Sequence, residues 1–233
     1  MKVAISIAVL LLAVSPFGFA QSDLERAKQE FTTLRDELRG ANKISDILFL
    51  LDTSGSVSNY GFEAEKEFVI NFLSTITVSF EEARVEVIPF GNTASLYIDG
   101  VSNPSSDKDK CDLIQKLKQM PHSYGWATNT KGAFQLAHDV CLGKYSGQKR
   151  VLLNKVKTVV ILITDGRWNQ GPSPVPIAKM LHAANIEVFA IGVGDGITPD
   201  TLQEVVTDPA KQAFHLKDFT EFDELSLYVR GGK

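Results

Sequence analysis

Ile47-Leu48-Phe49-Leu50-Leu51 runs without a break into Asp52-Thr53-Ser54-Gly55-Ser56. The five apolar residues show no polar alternation. A strand reads this way when both of its faces are buried, as in parallel sheets flanked by helices. At its end stand a carboxylate and two hydroxyls at i, i+2 and i+4. All three are hard oxygen ligands, and Mg2+ prefers such ligands in octahedral geometry while keeping several waters. Open α/β sheets place their sites in loops at the carboxyl ends of central strands.

A second buried run, Val159 to Thr164, ends in Asp165-Gly166, and between the two runs lies Gly125-Trp126-Ala127-Thr128-Asn129-Thr130. Strand and helix alternate along the rest of the chain. Helical periodicity predicts helices over Tyr60–Ile76, Asp107–Met120 and Thr130–Leu142. Ser173 and Pro174 open another to Ala184, and Thr198-Pro199 opens a short one. Thr220 with Asp223 reads as a capping box before a last helix through Val229. Further strands are predicted at Arg84–Phe90, Lys157–Thr164, Glu187–Gly192 and Phe214–Leu216. After the Gly91-Asn92 turn, Ala94, Leu96 and Ile98 alternate with polar positions, as in a half-solvated antiparallel edge strand. The expected architecture is α/β: a doubly wound, mostly parallel central sheet with one antiparallel edge strand and helices on both faces.

The three loop stretches together resemble the metal-ion-dependent adhesion site of the von Willebrand factor type A family, whose pattern is D-x-S-x-S, then T, then D. Carried over residue by residue, the resemblance implies Asp52, Ser54, Ser56, Thr128 and Asp165 as metal residues, with Thr130 as the rival to Thr128. It covers Ile44 to Val229 and implies a domain over 44–230. In the family the cation keeps an open position that takes an Asp or Glu carboxylate from a partner protein. The expected cofactor is therefore a divalent cation, Mg2+ first, with Mn2+ or Ca2+ as alternatives. Within the family, Leu24 to Leu38, Lys110-Cys111-Asp112-Leu113 and Thr130 to Gln135 are similar to the leading domain of a vertebrate matrix mosaic of sushi, EGF and pentraxin modules.

One departure from the family pattern is informative. Trp126-Ala127 stands where members commonly have Gly-Gly, and Trp168 lies three residues after Asp165. Tryptophan is enriched at binding hot spots because it buries a large rigid surface. Trp126 and Trp168 are therefore candidates for an aromatic rim, with gap filling between loops as the alternative. Tyr60 and Arg167 are lesser rim candidates.

Residues 1–20 read as a secretory signal peptide. Lys2 supplies the charged start, Val3 to Val14 the apolar core, and Gly18 and Ala20 the small residues before Gln21. The expected protein is secreted and extracellular, with no membrane span. The formal charge of −4 becomes −5 once Lys2 is removed, and no basic cluster offsets it, which argues against a nucleic-acid partner. Residues 21–43 form an amphipathic helical segment in which Leu24, Ala27, Phe31, Leu34, Leu38 and Ala41 alternate by 3 and 4. This helix is expected to pack on its own domain, with self-association through 22–42 as the alternative; Gly40 and Asn42 offer its stop.

Two cysteines in a secreted chain suggest a disulfide. The family resemblance implies that the helices carrying Cys111 and Cys141 are neighbours, hence a Cys111–Cys141 bond. It would close a loop of about 30 residues and contribute roughly 3–4 kcal/mol. Two unlinked thiols, or a bond to another chain, are the alternatives. Catalysis finds no support. His122, His138, His182 and His215 show no metal spacing, no G-x-S-x-G elbow is present, and Gly192-Val193-Gly194-Asp195-Gly196 lacks the full phosphate-loop pattern, leaving it a structural turn. Three functions remain: a matrix-binding or adhesion module that recognises a protein carboxylate through the cation, a structural matrix component in which the metal is secondary, and, last in order, a metal-dependent hydrolase.

Overall fold

The computed structural model describes residues 21–39, 44–79, 82–100, 110–143 and 156–231. The signal segment, the Gly40/Asn42 stop and the predicted helix start at Asp107 lie outside them. In chain order the elements are α1 (Asp23–Leu38), β1 (Ile44–Asp52), α2 (Asn59–Ser74), β2 (Ala83–Phe90), β3 (Ile98–Asp99), α3 (Lys110–Lys118) and α4 (Thr130–Cys141). Then follow β4 (Val156–Thr164), α5 (Val175–Ala183), β5 (Ile186–Val193), α6 (Pro199–Gln203), α7 (Pro209–Gln212), β6 (Ala213–Leu216) and α8 (Phe219–Val229).

One six-stranded sheet has the order β3-β2-β1-β4-β5-β6, parallel except for the β2–β3 pair. Side chains of a strand alternate between faces, and here they split into two cores. Ile47, Phe49 and Leu51 enter the cluster under α1, α2, α3 and α8, whereas Leu48 and Leu50 enter the one under α4 and α5. Helices on both faces explain why the β1 run lacks polar alternation. Among the described residues no helix is long and apolar enough to cross a membrane.

The N-terminal helix packs on its own domain. Ser22 caps it by accepting from the Glu25 N–H at 3.3 Å. Leu24, Ala27, Phe31, Leu34 and Leu38 are all buried. Phe31 meets Phe68, Phe189 and Phe214 at centroid distances of 5.4, 5.7 and 5.8 Å. The polar side is anchored as well: Arg26 donates to the Ala210 and Ala213 carbonyls, Asp23 accepts from the His215 N–H, and Lys28 bridges Glu25 and Glu224. The apolar stripe that self-association would need is thus consumed within the fold, which corrects that alternative.

The expected Cys111–Cys141 bridge is not formed. Cys141 is buried in the α4/α5 core, while α3 sends Leu113 and Leu117 into the opposite core and leaves Cys111 exposed. The sheet stands between the two helices, and a disulfide tolerates Cα atoms only about 4.4–6.8 Å apart. The edge strand is also shorter than predicted. Among the described residues only Ile98–Asp99 pairs with β2 as a strand, and Ala94 makes an isolated bridge to Phe90. The Pro89 carbonyl faces this edge, accepting from the Ser95 N–H at 3.2 Å, so its missing N–H removes a ladder bond on the same side. The last helix is capped by Asp218, which accepts from the Thr220 and Glu221 N–H groups, and Thr220 lies inside it.

Sequence reading did not foresee the pair at the opposite end of the sheet from the Asp52 loop. Asp46 and Arg84 face each other in the β1–β2 register, and the guanidinium donates to Asp46 from Nε at 2.7 Å. Both are buried.

Candidate metal centre

Asp52 and Asp165 converge because β1 and β4 are parallel neighbours at the centre of the sheet. The last β1 residue, Asp52, and the loop after Thr164 therefore emerge side by side at one edge. Local bonds lock each one. Asp52 Oδ1 accepts from the Ser54 N–H at 2.9 Å, and Oδ2 accepts from Thr164 Oγ1 at 2.6 Å. The Ser54 and Ser56 hydroxyls are 2.9 Å apart, and Ser56 Oγ donates to Asp165 Oδ1 at 2.8 Å. An unbroken hydrogen-bonded chain thus joins Asp52, Ser54, Ser56 and Asp165.

The third segment is stapled to the first. Ser54 bridges Gly125 in parallel fashion, the Gly55 N–H donates to the Gly125 carbonyl, and the Gly125 N–H donates to the Thr53 carbonyl. A Cβ on Gly125 would meet Asn92 and Gly91 atoms at 3.0–3.1 Å, so the approach needs glycine. Thr128 is fastened to the Asp165 loop: its N–H donates to Asn169 Oδ1 at 2.8 Å, and its carbonyl accepts from the Asn169 N–H at 3.2 Å. Ser54, Ser56, Trp126, Thr128 and Asn169 line one cleft of about 270 Å³. Thr130 is the first residue of α4, one past the Asn129 cap, and does not line that cleft.

Both carboxylates are short of solvent. Burial pushes Asp52 up to about 6, against the opposing hydrogen bonds from Thr164 and Ser54. Burial raises Asp165 as well, against the Ser56 hydrogen bond. Two desolvated carboxylates without a Lys or Arg ion pair among the described residues, plus hydroxyls, form an all-oxygen donor set suited to a hard divalent cation. Asp52 and Asp165 would supply charge, and Ser54, Ser56 and Thr128 neutral oxygens.

The four rim candidates separate. Trp126 is 78% exposed beside the cleft. Trp168 is half-buried and packs against the α4/α5 core. Tyr60 is exposed and its hydroxyl donates to Asp223, while Arg167 donates to Thr198 Oγ1 at 2.9 Å. Sequence reading missed Tyr124 and His122. Tyr124 is exposed at a φ of 50°, its hydroxyl bonds Asn59, and its ring lies 4.1 Å from His122, which stacks on Phe62 at 4.8 Å. Positive φ is rare for an aromatic residue, so only the loop's tertiary bonds hold this one.

Glu65 was missed too. It is fully buried on α2, and neither carboxyl oxygen has a hydrogen-bond partner among the described residues. Burial first, then the charges of Asp52 and Asp165, push its carboxyl well above the usual range. The signal was present: Phe62, Glu65, Val69 and Phe72 fall on one helical stripe that is otherwise apolar. The glycine turn after β5 proves structural. Gly196 packs where a Cβ would lie 2.2 Å from the Asp165 carbonyl oxygen, so it shapes the loop that carries this carboxylate.

Comparison with known proteins agrees with this fold. A solved proximal thread matrix protein 1 from the mussel byssus, described with a zinc-occupied MIDAS motif, superposes with a TM-score of 0.71 at 22% identity, over 81% of this chain and 48% of that one. A manganese-loaded TRAP protein of Plasmodium vivax gives a TM-score of 0.61 at 22% identity, over 79% of this chain and 72% of that one. In sequence, the chain is 30% identical over 209 residues to the mouse sushi, von Willebrand factor type A, EGF and pentraxin domain-containing protein 1. That match takes in 89% of this chain but only 6% of the relative's length. The profile of the von Willebrand factor type A domain matches residues 46–227, and the chain belongs to that family.

Proposed function

We propose that Asp52, Ser54, Ser56, Thr128 and Asp165 bind a divalent cation, and that the chain is a secreted binding module that recognises an Asp or Glu carboxylate of an extracellular protein through it. The observation that carries this reading is the hydrogen-bonded chain from Asp52 through Ser54 and Ser56 to Asp165, whose two serines line a cleft beside the exposed Trp126. When bound, the cation supplies an electrophilic position for a carboxylate oxygen. The protein's residues do the rest: Thr164 and the Ser54 amide orient Asp52, Asn169 places Thr128, and Trp126 offers apolar surface to whatever flanks the carboxylate. The zinc and manganese named for the two structural neighbours support a divalent ion in general, with Mg2+ the first candidate. Secretion rests on the signal-like residues 1–20. The thread matrix protein favours a second reading, a structural matrix component.

Calorimetric titration with Mg2+ and Mn2+ tests the centre. Saturable one-site binding is expected, abolished in Asp165→Ala. EDTA-reversible capture of an immobilised acidic peptide then separates carboxylate recognition from a metal-independent structural role. Absence of metal binding in the parent would overturn the proposal.

A further inference from the structure

We propose that the partner segment carrying the carboxylate also seats a nearby tyrosine side chain in a second cavity, which adjoins the metal cleft at Gly125. The inference rests on the carboxylate-recognition reading above and names the peptide chemistry that such a partner presents. The cavity measures about 260 Å³ and lies between the turn after β2 and the loop after α3. Gly125 lines both it and the metal cleft, so the two meet at a residue without a side chain. Thr53 lines this cavity, whereas its neighbour Ser54 lines the metal cleft. In extended backbone successive side chains point to opposite sides. Thr53 Oγ1 accordingly donates to the Phe90 carbonyl at 3.0 Å and meets Ser123 Oγ at 2.6 Å, while Ser54 Oγ meets Ser56 Oγ. The bridge between Ser54 and Gly125 is thus a common wall, with metal residues on one side and the cavity on the other.

The lining selects the occupant. No charged residue lines the cavity, so an ionic side chain would lose hydration there without gaining a counter-charge. Pro89, Tyr97 and Met120 supply an apolar side. The rim is polar: the Thr93 and Ser95 hydroxyls have no hydrogen-bond partner among the described residues, and Asn92 uses its Oδ1 on the Ala127 N–H. Tyrosine meets both demands, with a ring to pack on Tyr97 and Met120 and a hydroxyl to reach the rim. Size points the same way. Pockets for whole small molecules start at about 300 Å³. The two cavities, of about 260 and 270 Å³, each suit one side chain of a ligand held at both. The exposed Tyr124 and Trp126 flank Gly125 and offer ring surface to the chain that crosses between them.

The test is calorimetric titration, in Mn2+, with end-blocked alanine-rich peptides. Each carries one Asp, with a Tyr moved through the positions on either side of it, and the control has Asp and no Tyr. One spacing is expected to bind about tenfold or more tighter than the control, the scale of burying one large apolar side chain. Ser95→Trp and Thr93→Trp place a bulky ring at exposed rim positions and fill the cavity. Each should abolish that gain while leaving Mn2+ affinity and control-peptide affinity unchanged, and either one decides the matter if the other does not fold. Equal binding of the control and every Tyr peptide overturns this inference alone. A gain that survives the Trp substitutions overturns it too, because the tyrosine then sits elsewhere. Absence of any peptide binding in Mn2+ overturns carboxylate recognition and this inference together.

Discussion

At the scale of single residues, the centre depends on groups that never face the cleft. Gly196 is the sharpest case. A methyl group there would run into the Asp165 backbone carbonyl, which cannot swing aside as a flexible side chain would. Gly196→Ala should therefore displace Asp165 and weaken Mn2+ binding about tenfold or more while leaving all five metal residues in place. Calorimetry beside a circular-dichroism melt separates this from simple unfolding. Trp126 poses the complementary test. With 78% of its surface exposed, it adds little to the core, so Trp126→Ala should leave the melting temperature and the metal affinity unchanged. Binding of a carboxylate-bearing partner should fall by about 2 kcal/mol or more if the ring is a hot spot. Trp168→Ala should behave oppositely and lower stability, because that ring packs against the α4/α5 core.

Among the elements, α1 has the largest consequence. It lies against α8, β6 and α7, and Phe31 meets rings from α2, β5 and β6. Phe31→Ala removes a fully buried ring from the centre of that cluster. The expected cost is about 3–5 kcal/mol, read as a shift of the urea midpoint with little change in slope. Helix α1 is therefore a layer of the domain, and its deletion should expose Phe68, Phe189 and Phe214. The β1–β4 pair is the other decisive element. Their parallel register brings Asp52 and Asp165 to one edge although they stand far apart in sequence.

For the whole molecule, the centre sets a pH dependence whose sign the metal reverses. Asp52 has a folded value of about 6, against an ordinary 3.8. Between those values the folded, metal-free protein holds more protons than the unfolded chain, so this group lowers stability as pH rises from about 4 to about 6. The effect is of order 3 kcal/mol at most. Melts in EDTA should show this slope diminished in Asp52→Asn. With Mn2+ present, protons and metal compete for the same carboxylates, and apparent metal affinity should fall as pH drops through about 6. A molecule whose metal binding ignores pH across that window would not be using Asp52.

Periodicity and ligand chemistry were enough to read much of this from the chain. The unbroken Ile47–Leu51 and Val159–Thr164 runs marked strands buried on both faces, and the alternation of elements marked a doubly wound sheet, because these patterns are local and repeat every two or 3.6 residues. Asp52, Ser54 and Ser56 were legible together because one turn carries all three. Relations across the sheet were not legible. Which face each helix covers decided that Cys141 cannot reach Cys111, that the α1 stripe is spent inside the domain, and that Trp126 points outward while Trp168 packs inward. Glu65 looked like any helical glutamate until its stripe was seen packed against β1. Chain-local chemistry thus determined the elements and the type of ligand. Only the tertiary structure decided burial and neighbours, because both depend on residues brought together from distant parts of the chain.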